Sequence, residues 1–350
     1  MDFRYAAWYP SRSLRFKARW PSGEAEVCKT LHAGSIPARA SRNYGVSMPI
    51  KIPNDLPARE ILESENVSLI REDRALRQDI RPLRVALLNL MPTKVKTETQ
   101  LLRAMGATPL QVEMTLIRPA SHESKNTPRE HLLAFYKTFA EVENQRFDAL
   151  IVTGAPVGHL PFEDVGYWSE LTRIFDWAKT NVFSCFFICW GAQAALYHYH
   201  GTQRTKSDTK HFGIFDHQIL TPFHPLIAGF DDKFLVPVSR YTEMPLAKAQ
   251  GIPGLTVLAS SDQTGVCLAY DESNRRVYMF NHLEYDADTL ASEYFRDEEA
   301  GAGTAKPHNY FPGDDPSKAP PITWRAHRTL LFSNWINMVY QGTPFDLADL

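Results

Sequence analysis

The chain has 350 residues, and its hydrophobic content of 44% is ample for a sizeable core. The formal net charge of −2 gives no reason to expect a nucleic acid or an anionic membrane as a partner. The four cysteines, at positions 28, 185, 189 and 267, lack the spacing of a zinc site, so we expect no metal and free thiols in a reducing cytoplasm. No apolar run reaches the ~18 residues of a membrane helix, and the N-terminus lacks the core of a secretory signal.

The first 47 residues differ in character from the rest of the chain. They hold eight Lys or Arg against three acidic residues and show little periodicity, whereas a globular pattern begins at Met48. We therefore interpret residues 1–47 as an N-terminal extension translated from upstream sequence, with Met48 as the natural initiator of one domain over residues 48–350. A basic transit peptide is the alternative, because such peptides are rich in Arg and poor in acidic residues.

Strands and helices are predicted to alternate between residue 84 and the cysteine at position 189. Mostly apolar runs predict strands buried on both faces, and helical apolar spacing predicts the helices. The strands are predicted at 84–90, 111–117, 147–153 and 183–189, and the helices at 97–106, 129–142 and 167–180. Right-handed βαβ units of this kind assemble a doubly wound α/β sheet whose active groups lie at the carboxyl ends of its strands.

After residue 200 the alternation gives way to shorter predicted strands. These lie at 234–238, 255–260, 264–270 and 275–281, and helices follow near 287–299 and 323–340. A Pro- and Gly-rich stretch over 301–321 predicts an irregular connection. We therefore expect a mixed sheet in a single domain with extra C-terminal helices. The aromatic run 135–139 is interpreted as the core stripe of the 129–142 helix.

The segment from Phe183 to Ala195 places a cysteine between an apolar strand and a helix start that is rich in small residues. This arrangement is typical of a nucleophile elbow, in which the strand ends at Cys189 and Gly191 lets the helix pack tightly against the sheet. The partial positive charge of a helix N-terminus favours a thiolate there. The free backbone N–H of Trp190 can also face a developing oxyanion. Cys189 is therefore a candidate nucleophile.

A second candidate pattern lies where a later apolar strand ends in His282-Leu283-Glu284. Residues two apart in an extended chain project on the same side, so one strand end can supply a base and the carboxylate that orients it. Either pattern alone is common in proteins without catalytic function. An elbow followed by this His and Glu matches the order in Cys-His-Glu enzymes of the class I glutamine amidotransferase type, and the combination predicts a catalytic triad.

Five spaced motifs occur along the globular part of the chain. They are Leu88-Asn89-Leu90-Met91-Pro92, Thr153-Gly154-Ala155-Pro156, Cys189-Trp190-Gly191-Ala192-Gln193-Ala194-Ala195, His282-Leu283-Glu284-Tyr285-Asp286 and Asn309-Tyr310-Phe311-Pro312. With these motifs the chain resembles the homoserine O-succinyltransferase family, acyltransferases of methionine biosynthesis, over essentially all of residues 48–350. The resemblance implies an acyltransferase catalytic domain with a flavodoxin-like fold of the class I glutamine amidotransferase type.

The resemblance also implies a mechanism and its substrates. Cys189 would take the succinyl group from succinyl-CoA and pass it to the hydroxyl group of L-homoserine in a ping-pong reaction, with His282 as the base and Glu284 orienting the imidazole. It further implies a cytoplasmic enzyme with small-molecule substrates, in which succinyl-CoA is a co-substrate and no cofactor is bound permanently. An enzyme of this type could act as a homodimer.

Four further residues match binding positions of the family. Lys210, Ser239 and Arg296 match substrate contacts, and a guanidinium suits the carboxylate of homoserine. Gly158 matches a position where glycine accompanies succinyl transfer and glutamate accompanies acetyl transfer. A glutamate there would fill space and repel the free carboxylate of a succinyl group. We therefore expect succinyl-CoA as the donor, with acetyl-CoA as the alternative.

Two other interpretations use the same residues. A glutamine amidotransferase would share the triad, but its elbow is usually Gly-x-Cys-x-Gly, whereas Phe187 occupies the first glycine position here. A non-catalytic binding protein could carry an elbow cysteine that senses oxidants. Such a protein would not need Lys210, Ser239 and Arg296 beside the triad.

Overall fold

The computed structural model describes residues 50–53, 55–64, 69–71, 81–121 and 127–350. The predicted extension over residues 1–47 and its boundary at Met48 lie outside these residues. Twelve strands of the described part form one sheet. They are β1 (Ile50–Ile52), β2 (Leu69–Arg71), β3 (Leu83–Leu88), β4 (Val112–Ile117), β5 (Tyr136–Lys137), β6 (Phe147–Val152), β7 (Val182–Ile188), β8 (Thr205–Ile219), β9 (Lys233–Glu243), β10 (Leu255–Ser261), β11 (Gly265–Asp271) and β12 (Arg276–Met279).

The sheet is parallel over one half and antiparallel over the other. Its strands run in the order β2-β1-β4-β3-β6-β7-β12-β11-β10-β8-β9, and β5 pairs with β4. Each pairing from β2 to β12 is parallel. Each pairing from β12 to β9 is antiparallel. The prediction of a doubly wound sheet that becomes mixed in its later part is therefore confirmed.

Helices cover both faces of this sheet. They are α1 (Ala58–Ser64), α2 (Lys94–Met105), α3 (Arg129–Phe135), α4 (Trp168–Asn181), α5 (Trp190–His200), α6 (Leu246–Gln250), α7 (Thr289–Glu299) and α8 (Arg325–Gly342). Residues of α1, α2 and α8 share one apolar cluster with Ala149 and Ile151 of β6. Residues of α4, α5 and α6 share a second cluster with Phe147 and Leu150. Because β6 is buried on both faces, its sequence is apolar apart from Asp148, which forms an ion pair with Arg81.

Most predicted helices and strands lie within a few residues of the observed ones, and α7 and α8 follow the predictions for the C-terminal part. The connection over 301–321 is irregular, as predicted, apart from one bridge and a short 3-10 turn. Within the described ranges, no helix combines the length and the apolar character that crossing a membrane requires.

The helix predicted at 129–142 is wrong in its second half. It ends at Phe135, and Tyr136–Lys137 form β5 beside β4. The Tyr136 hydroxyl donates to Glu98 and accepts from the Asn89 side chain at 2.9 Å, within a buried polar cluster. These tertiary hydrogen bonds favour the extended backbone over the helix. The aromatic run 135–139 is therefore not a helical core stripe.

The longest described strand, β8, lies where the sequence predicts no strand. Several of its residues between Thr205 and His211 are exposed, so no apolar run marks it. It forms a long hairpin with β9, which extends to Glu243 and so beyond the predicted end at 238. This hairpin carries two of the predicted substrate contacts, Lys210 and Ser239.

A segment of the irregular connection attaches to β8. His308 forms a parallel bridge to Gly213 and donates its backbone N–H to the carbonyl oxygen of Phe212 at 2.8 Å. Gly213 has a φ of 140°, and a Cβ atom there would lie 2.3 Å from the His308 carbonyl oxygen, so a side chain does not fit. The Tyr310 hydroxyl accepts a hydrogen bond from the N–H of Ala291 at 3.0 Å. The segment thereby ties β8 to the first turn of α7.

Candidate active site

Cys189 lies at the sharp turn between β7 and α5. Its backbone has φ 50° and ψ −113°, a conformation that residues other than glycine rarely adopt. Its N–H donates to the carbonyl oxygen of Met279 at 2.7 Å, which ties the turn to the end of β12. The residue is only 9% exposed. The local geometry is that of the predicted elbow, with a thiol largely shielded from water.

Helix α5 begins directly after Cys189 and packs closely against the end of β6. A Cβ atom at Gly191 would lie 2.6 Å from the carbonyl oxygen of Thr153, so a larger residue would push the helix away. Trp190 is the first residue of α5, and the backbone donors of a first turn have no partner within the helix. The N–H of Trp190 is therefore free of helix hydrogen bonds beside the thiol.

The side chains of Cys189, His282 and Glu284 come together, and we refer to them as the triad. His282 Nδ1 lies 2.7 Å from Glu284 Oε1, and the ring also hydrogen-bonds with the Cys189 thiol. Burial lowers the pKa of His282, but the negatively charged forms of Cys189 and Glu284 outweigh burial and raise the net pKa well above its ordinary value. The imidazole can therefore hold a proton beside the sulfur.

The triad forms because its two strands are neighbours in the sheet. β7 and β12 pair in parallel, with Ile188 opposite Met279. Cys189 follows one strand and His282 comes shortly after the other, at the edge where parallel strands present their carboxyl ends. The backbone N–H of His282 also donates to the carbonyl oxygen of Pro237 at 3.0 Å. Main-chain hydrogen bonds therefore position both residues.

A buried guanidinium on β9, that of Arg240, lies close to the triad. Its Nη1 donates to the side-chain oxygen of Asn281, the residue before His282, and its Nη2 donates to the carbonyl oxygen of Thr264 at 2.5 Å. Burial lowers the pKa of Arg240, and the nearby Cys189 partly offsets this effect. Arg240 thus places a positive charge near the thiol.

Asn281 is also held from β8. Its Nδ2 lies 2.7 Å from Nε2 of His217, whose Nδ1 lies 2.9 Å from the carbonyl oxygen of Phe215. Burial lowers the pKa of His217 to about 3, so this ring is neutral near pH 7 and can accept from Asn281. The residue before His282 is therefore fixed by both strands of the hairpin.

The predicted substrate contacts Lys210, Ser239 and Arg296 meet at two carboxylates of α7. Lys210 Nζ lies 3.3 Å from Asp297 Oδ2 and 3.7 Å from Glu293 Oε2. Ser239 Oγ donates to Glu293, and Nε of Arg296 donates to Asp297 Oδ1 at 2.9 Å. The Arg296 side chain is 67% exposed, whereas that of Lys210 is 13% exposed. We refer to these five residues as the ion-pair cluster.

Gly158 lies in a turn that follows the Thr153-Gly154-Ala155-Pro156 motif. The N–H of Leu160 donates to the carbonyl oxygen of Val157 at 3.1 Å and closes this turn. In the part of the chain that the structure describes, no atom beyond Gly158 and its two chain neighbours lies within 4 Å of the position that a Gly158 Cβ would take. Packing alone therefore does not require glycine at this position.

The remaining described cysteines differ from Cys189. Burial raises the pKa of both Cys185 and Cys267 to about 12, which makes their thiolates rare at neutral pH. Cys28 lies outside the described residues. Among those described, no three His, Cys, Asp or Glu side chains are grouped to hold a metal ion.

Four residues of the site escaped the sequence reasoning, and they are Arg240, Glu293, Asp297 and Tyr285, whose ring stacks on that of His282. Weak signals for some of them exist. Glu293 and Asp297 are four apart on the helix that carries Arg296, which puts both on one face. Arg240 follows Ser239, so in a strand it points to the opposite side. Phe234, Val236 and Val238 lie on that same side of β9 and are buried, so their alternation is the sequence signal for the burial of Arg240.

Comparisons with known proteins place this geometry in context. The model of one protein family, described as homoserine O-succinyltransferase, matches residues 49–345. The chain is similar to the homoserine O-acetyltransferase of Chelativorans sp. (strain BNC1), with 54% identity over 300 residues that cover 86% of this chain and 96% of that protein. It is also similar to the homoserine O-acetyltransferase of Acetivibrio thermocellus, with 53% identity over 304 residues, 87% of this chain and 100% of that protein.

A solved structure of a glutamine amidotransferase from Thermotoga maritima is similar in fold. It aligns with a TM-score of 0.51 and 14% identity, covering 74% of this chain and 99% of that one. Identity this low supports the fold alone. The predicted fold of the class I glutamine amidotransferase type is confirmed.

Proposed function

Because the chain belongs to the homoserine O-succinyltransferase family, we propose that it transfers a succinyl group from succinyl-CoA to the hydroxyl group of L-homoserine through an acyl-enzyme on Cys189. Acylation of homoserine is the activity that the family description and the names of the relatives share. The observation that carries the proposal is the triad, in which a thiol at a strained turn contacts an imidazole that pairs with a carboxylate at 2.7 Å.

In the proposed first half-reaction, the sulfur of Cys189 attacks the thioester carbon of the acyl-CoA. His282 holds the proton that the thiol loses, and the N–H of Trp190 faces the oxyanion of the tetrahedral intermediate. The bond from carbon to the CoA sulfur then breaks, and the CoA sulfur takes the proton from His282. The acyl group remains on Cys189 as a thioester.

In the proposed second half-reaction, the hydroxyl oxygen of homoserine attacks the acyl carbon on Cys189. His282 takes the hydroxyl proton as the new bond forms, and the bond from carbon to Cys189 breaks to release the O-acyl ester. An alcohol is a weak nucleophile, so this step needs the base, and a positioned base supplies about 10²–10⁴-fold. Glu284 keeps the imidazole in the orientation that both steps use.

The ion-pair cluster is the proposed binding site of the acceptor amino acid. Homoserine carries a carboxylate and an ammonium group, and the cluster offers cations and carboxylates together. The ammonium of Lys210 and the guanidinium of Arg296 suit the carboxylate of homoserine, and the Ser239 hydroxyl adds a short polar group. Charged partners on both sides of the substrate favour a zwitterion over an uncharged alcohol.

Gly158 supports succinyl-CoA as the donor. Its turn follows the motif that begins with Thr153, next to the site where α5 packs on β6. Space is open around the position of a Cβ atom, so a glycine there leaves room for the longer acyl group and adds no negative charge against its free carboxylate. A glutamate at this position would reduce the space for the acyl group and would add a negative charge close to its free carboxylate.

Acetyl transfer is the second candidate, because the relatives reported above are named homoserine O-acetyltransferases. The two candidates share the triad, the acceptor and the chemistry, and they differ only in the acyl group that Cys189 carries.

Intact-protein mass spectrometry with each acyl-CoA separately, in the absence of homoserine, tests both. We expect a succinyl adduct that disappears when homoserine is added and that the Cys189→Ala variant does not form. An adduct with acetyl-CoA alone would favour acetyl transfer and refute the argument from Gly158. No adduct with either donor would refute the acyl-enzyme.

A further inference from the structure

The carboxylate of Glu293 is the point at which three other side chains meet. Its Oε2 accepts from Ser239 Oγ and lies 3.7 Å from Lys210 Nζ, while its Oε1 accepts from the Tyr285 hydroxyl at 3.1 Å. The Glu293 side chain is 17% exposed, so solvent is a poor substitute for these partners. Both of its oxygens are engaged, Oε2 toward the β8–β9 hairpin and Oε1 toward the segment that follows β12.

Glu293 sets the relative positions of the two acceptor contacts on the hairpin. Lys210 comes from β8 and Ser239 from β9, and Glu293 is the carboxylate that both of them contact. Lys210 has a second carboxylate in Asp297 and rests 4.0 Å from the ring centroid of Phe212. Without the negative charge of Glu293, the Lys210 ammonium would lose one of its two anionic partners. Lys210 and Ser239 would also no longer contact a common carboxylate.

Glu293 is also linked to the triad, but the link is indirect. The ring of Tyr285 stacks on the ring of His282, with centroids 4.1 Å apart and an angle of 17° between the planes. His282 has its own supports in Glu284, at 2.7 Å, and in the backbone of Pro237. Loss of the hydrogen bond from Tyr285 to Glu293 therefore leaves the base in place.

We infer that Glu293 is a positioning residue for the acceptor amino acid, which holds Lys210 and Ser239 for binding and serves the second half-reaction rather than the first. The inference rests on the proposed function, because it assumes a ping-pong reaction with homoserine as the acceptor. It assigns a role in the acceptor step to a residue that does not itself touch the reacting atoms.

Steady-state kinetics of a Glu293→Gln variant tests the inference. In a ping-pong reaction, kcat/KM for the acyl-CoA reports only the steps up to CoA release, and kcat/KM for homoserine reports only the steps from the acyl-enzyme onward. We expect kcat/KM for homoserine to fall by about 10- to 100-fold, because hydrogen bonds and ion pairs to a charged group are lost. We expect kcat/KM for the acyl-CoA to stay within about twofold.

The matched control is Glu298→Gln on the same helix. Glu298 accepts from the Tyr294 hydroxyl at 3.1 Å and has no contact with the ion-pair cluster among those the structure gives it. This variant should leave both kcat/KM values within about twofold of those of the unsubstituted protein. If it lowers kcat/KM for homoserine as much as Glu293→Gln does, the effect belongs to α7 in general and the inference fails.

The outcomes separate this inference from the proposed function. Equal losses in both kcat/KM values, or no loss in either, would overturn the role of Glu293. If Glu293→Gln unfolds, the Ser239→Ala variant replaces it, because it removes one contact to the same carboxylate. We expect this variant to lower kcat/KM for homoserine alone. A fall in kcat/KM for the acyl-CoA as well would overturn the role of Glu293. Failure of the unsubstituted protein to form an acyl adduct would refute the proposed function instead.

Discussion

The triad and the ion-pair cluster are positioned by different means. Cys189 and His282 follow paired neighbouring strands, and main-chain hydrogen bonds to Met279 and Pro237 fix their backbones. In the cluster, residues from β8, β9 and α7 meet through side-chain contacts. The same site therefore contains groups fixed by the sheet and groups that fix one another.

This difference has an experimental consequence. Removal of a triad side chain deletes one chemical group and leaves its neighbours where the sheet puts them. Removal of a cluster side chain also releases the partners that it held, so effects within the cluster are not additive. The triad should therefore give large, isolated losses, and the cluster should give smaller, coupled ones.

The largest effect is expected from His282→Gln. We predict a fall of about 10³-fold in kcat/KM for both substrates, because each of the proposed half-reactions passes a proton through this ring. The thermal unfolding temperature should change little, since glutamine fills similar space and the backbone supports remain. Release of CoA over time measures the first effect and calorimetry the second. Retention of a tenth of the activity would contradict the assignment of the base.

Gly191→Ala tests whether the elbow depends on backbone packing. The added Cβ would lie 2.6 Å from the carbonyl oxygen of Thr153, and we predict a loss of about 2 kcal/mol in the free energy of unfolding. Denaturant unfolding measures it. Gly166→Ala is the control, because no atom in the described ranges lies within 4 Å of its added Cβ. Equal stability of the two variants would disprove the close packing of α5 on β6.

The third test concerns His217, which joins the hairpin to the residue before His282. Burial, aided by the charge of Arg240, lowers its pKa from 6.5 to about 3 in the folded protein. Between those values the unfolded chain binds a proton that the folded protein does not bind. Stability should therefore fall as pH drops below 6.5, by up to about 1.4 kcal/mol per pH unit.

Urea unfolding between pH 7 and pH 4 measures this dependence. His217→Gln should be less stable at pH 7 but should show a flatter decline toward acid. His159→Gln, at an exposed position, serves as the control and should keep the decline of the unsubstituted protein. An unchanged slope in His217→Gln would show that other groups cause the acid sensitivity.

The smallest effect is expected from Tyr310→Phe, which loosens the segment that ties β8 to α7. Its hydroxyl accepts from the N–H of Ala291 and donates to the carbonyl oxygen of Ala287. We predict a loss of about 1 kcal/mol in stability and a KM for homoserine raised a few-fold, with KM for the acyl-CoA unchanged. Tyr340→Phe, at an exposed position on α8, is the matched control.

The features predicted correctly from the sequence are those for which one continuous segment contains the whole residue pattern. The buried run of β6 predicts its strand, and the apolar strand before Cys189 with the small residues after it predicts the elbow. Strand β8 was missed because exposed polar residues such as Lys206 and Asp208 leave no apolar run.

Glu293 was missed for a different physical reason. A glutamate on a helix is usually solvated, and its sequence neighbours do not reveal that β8 and β9 pack over it. The contact with Ser239 joins two elements that are distant along the chain, so it exists only once the hairpin and α7 are in place. The same holds for Arg240, because three further strands separate it from its partner Asn281 along the chain.

The direct pairing of β7 with β12 has a consequence for how such a protein can diversify. Between Cys189 and Arg276 the chain forms β8 to β11, which extend the same sheet outward from β12, and it then returns beside β7 as β12. Insertions or deletions between β7 and β12 can reshape the hairpin that carries Lys210 and Ser239, while the two strands that precede Cys189 and His282 stay one strand spacing, about 4.8 Å, apart. The fold thus separates the segment that can vary in length from the spacing on which the chemistry depends.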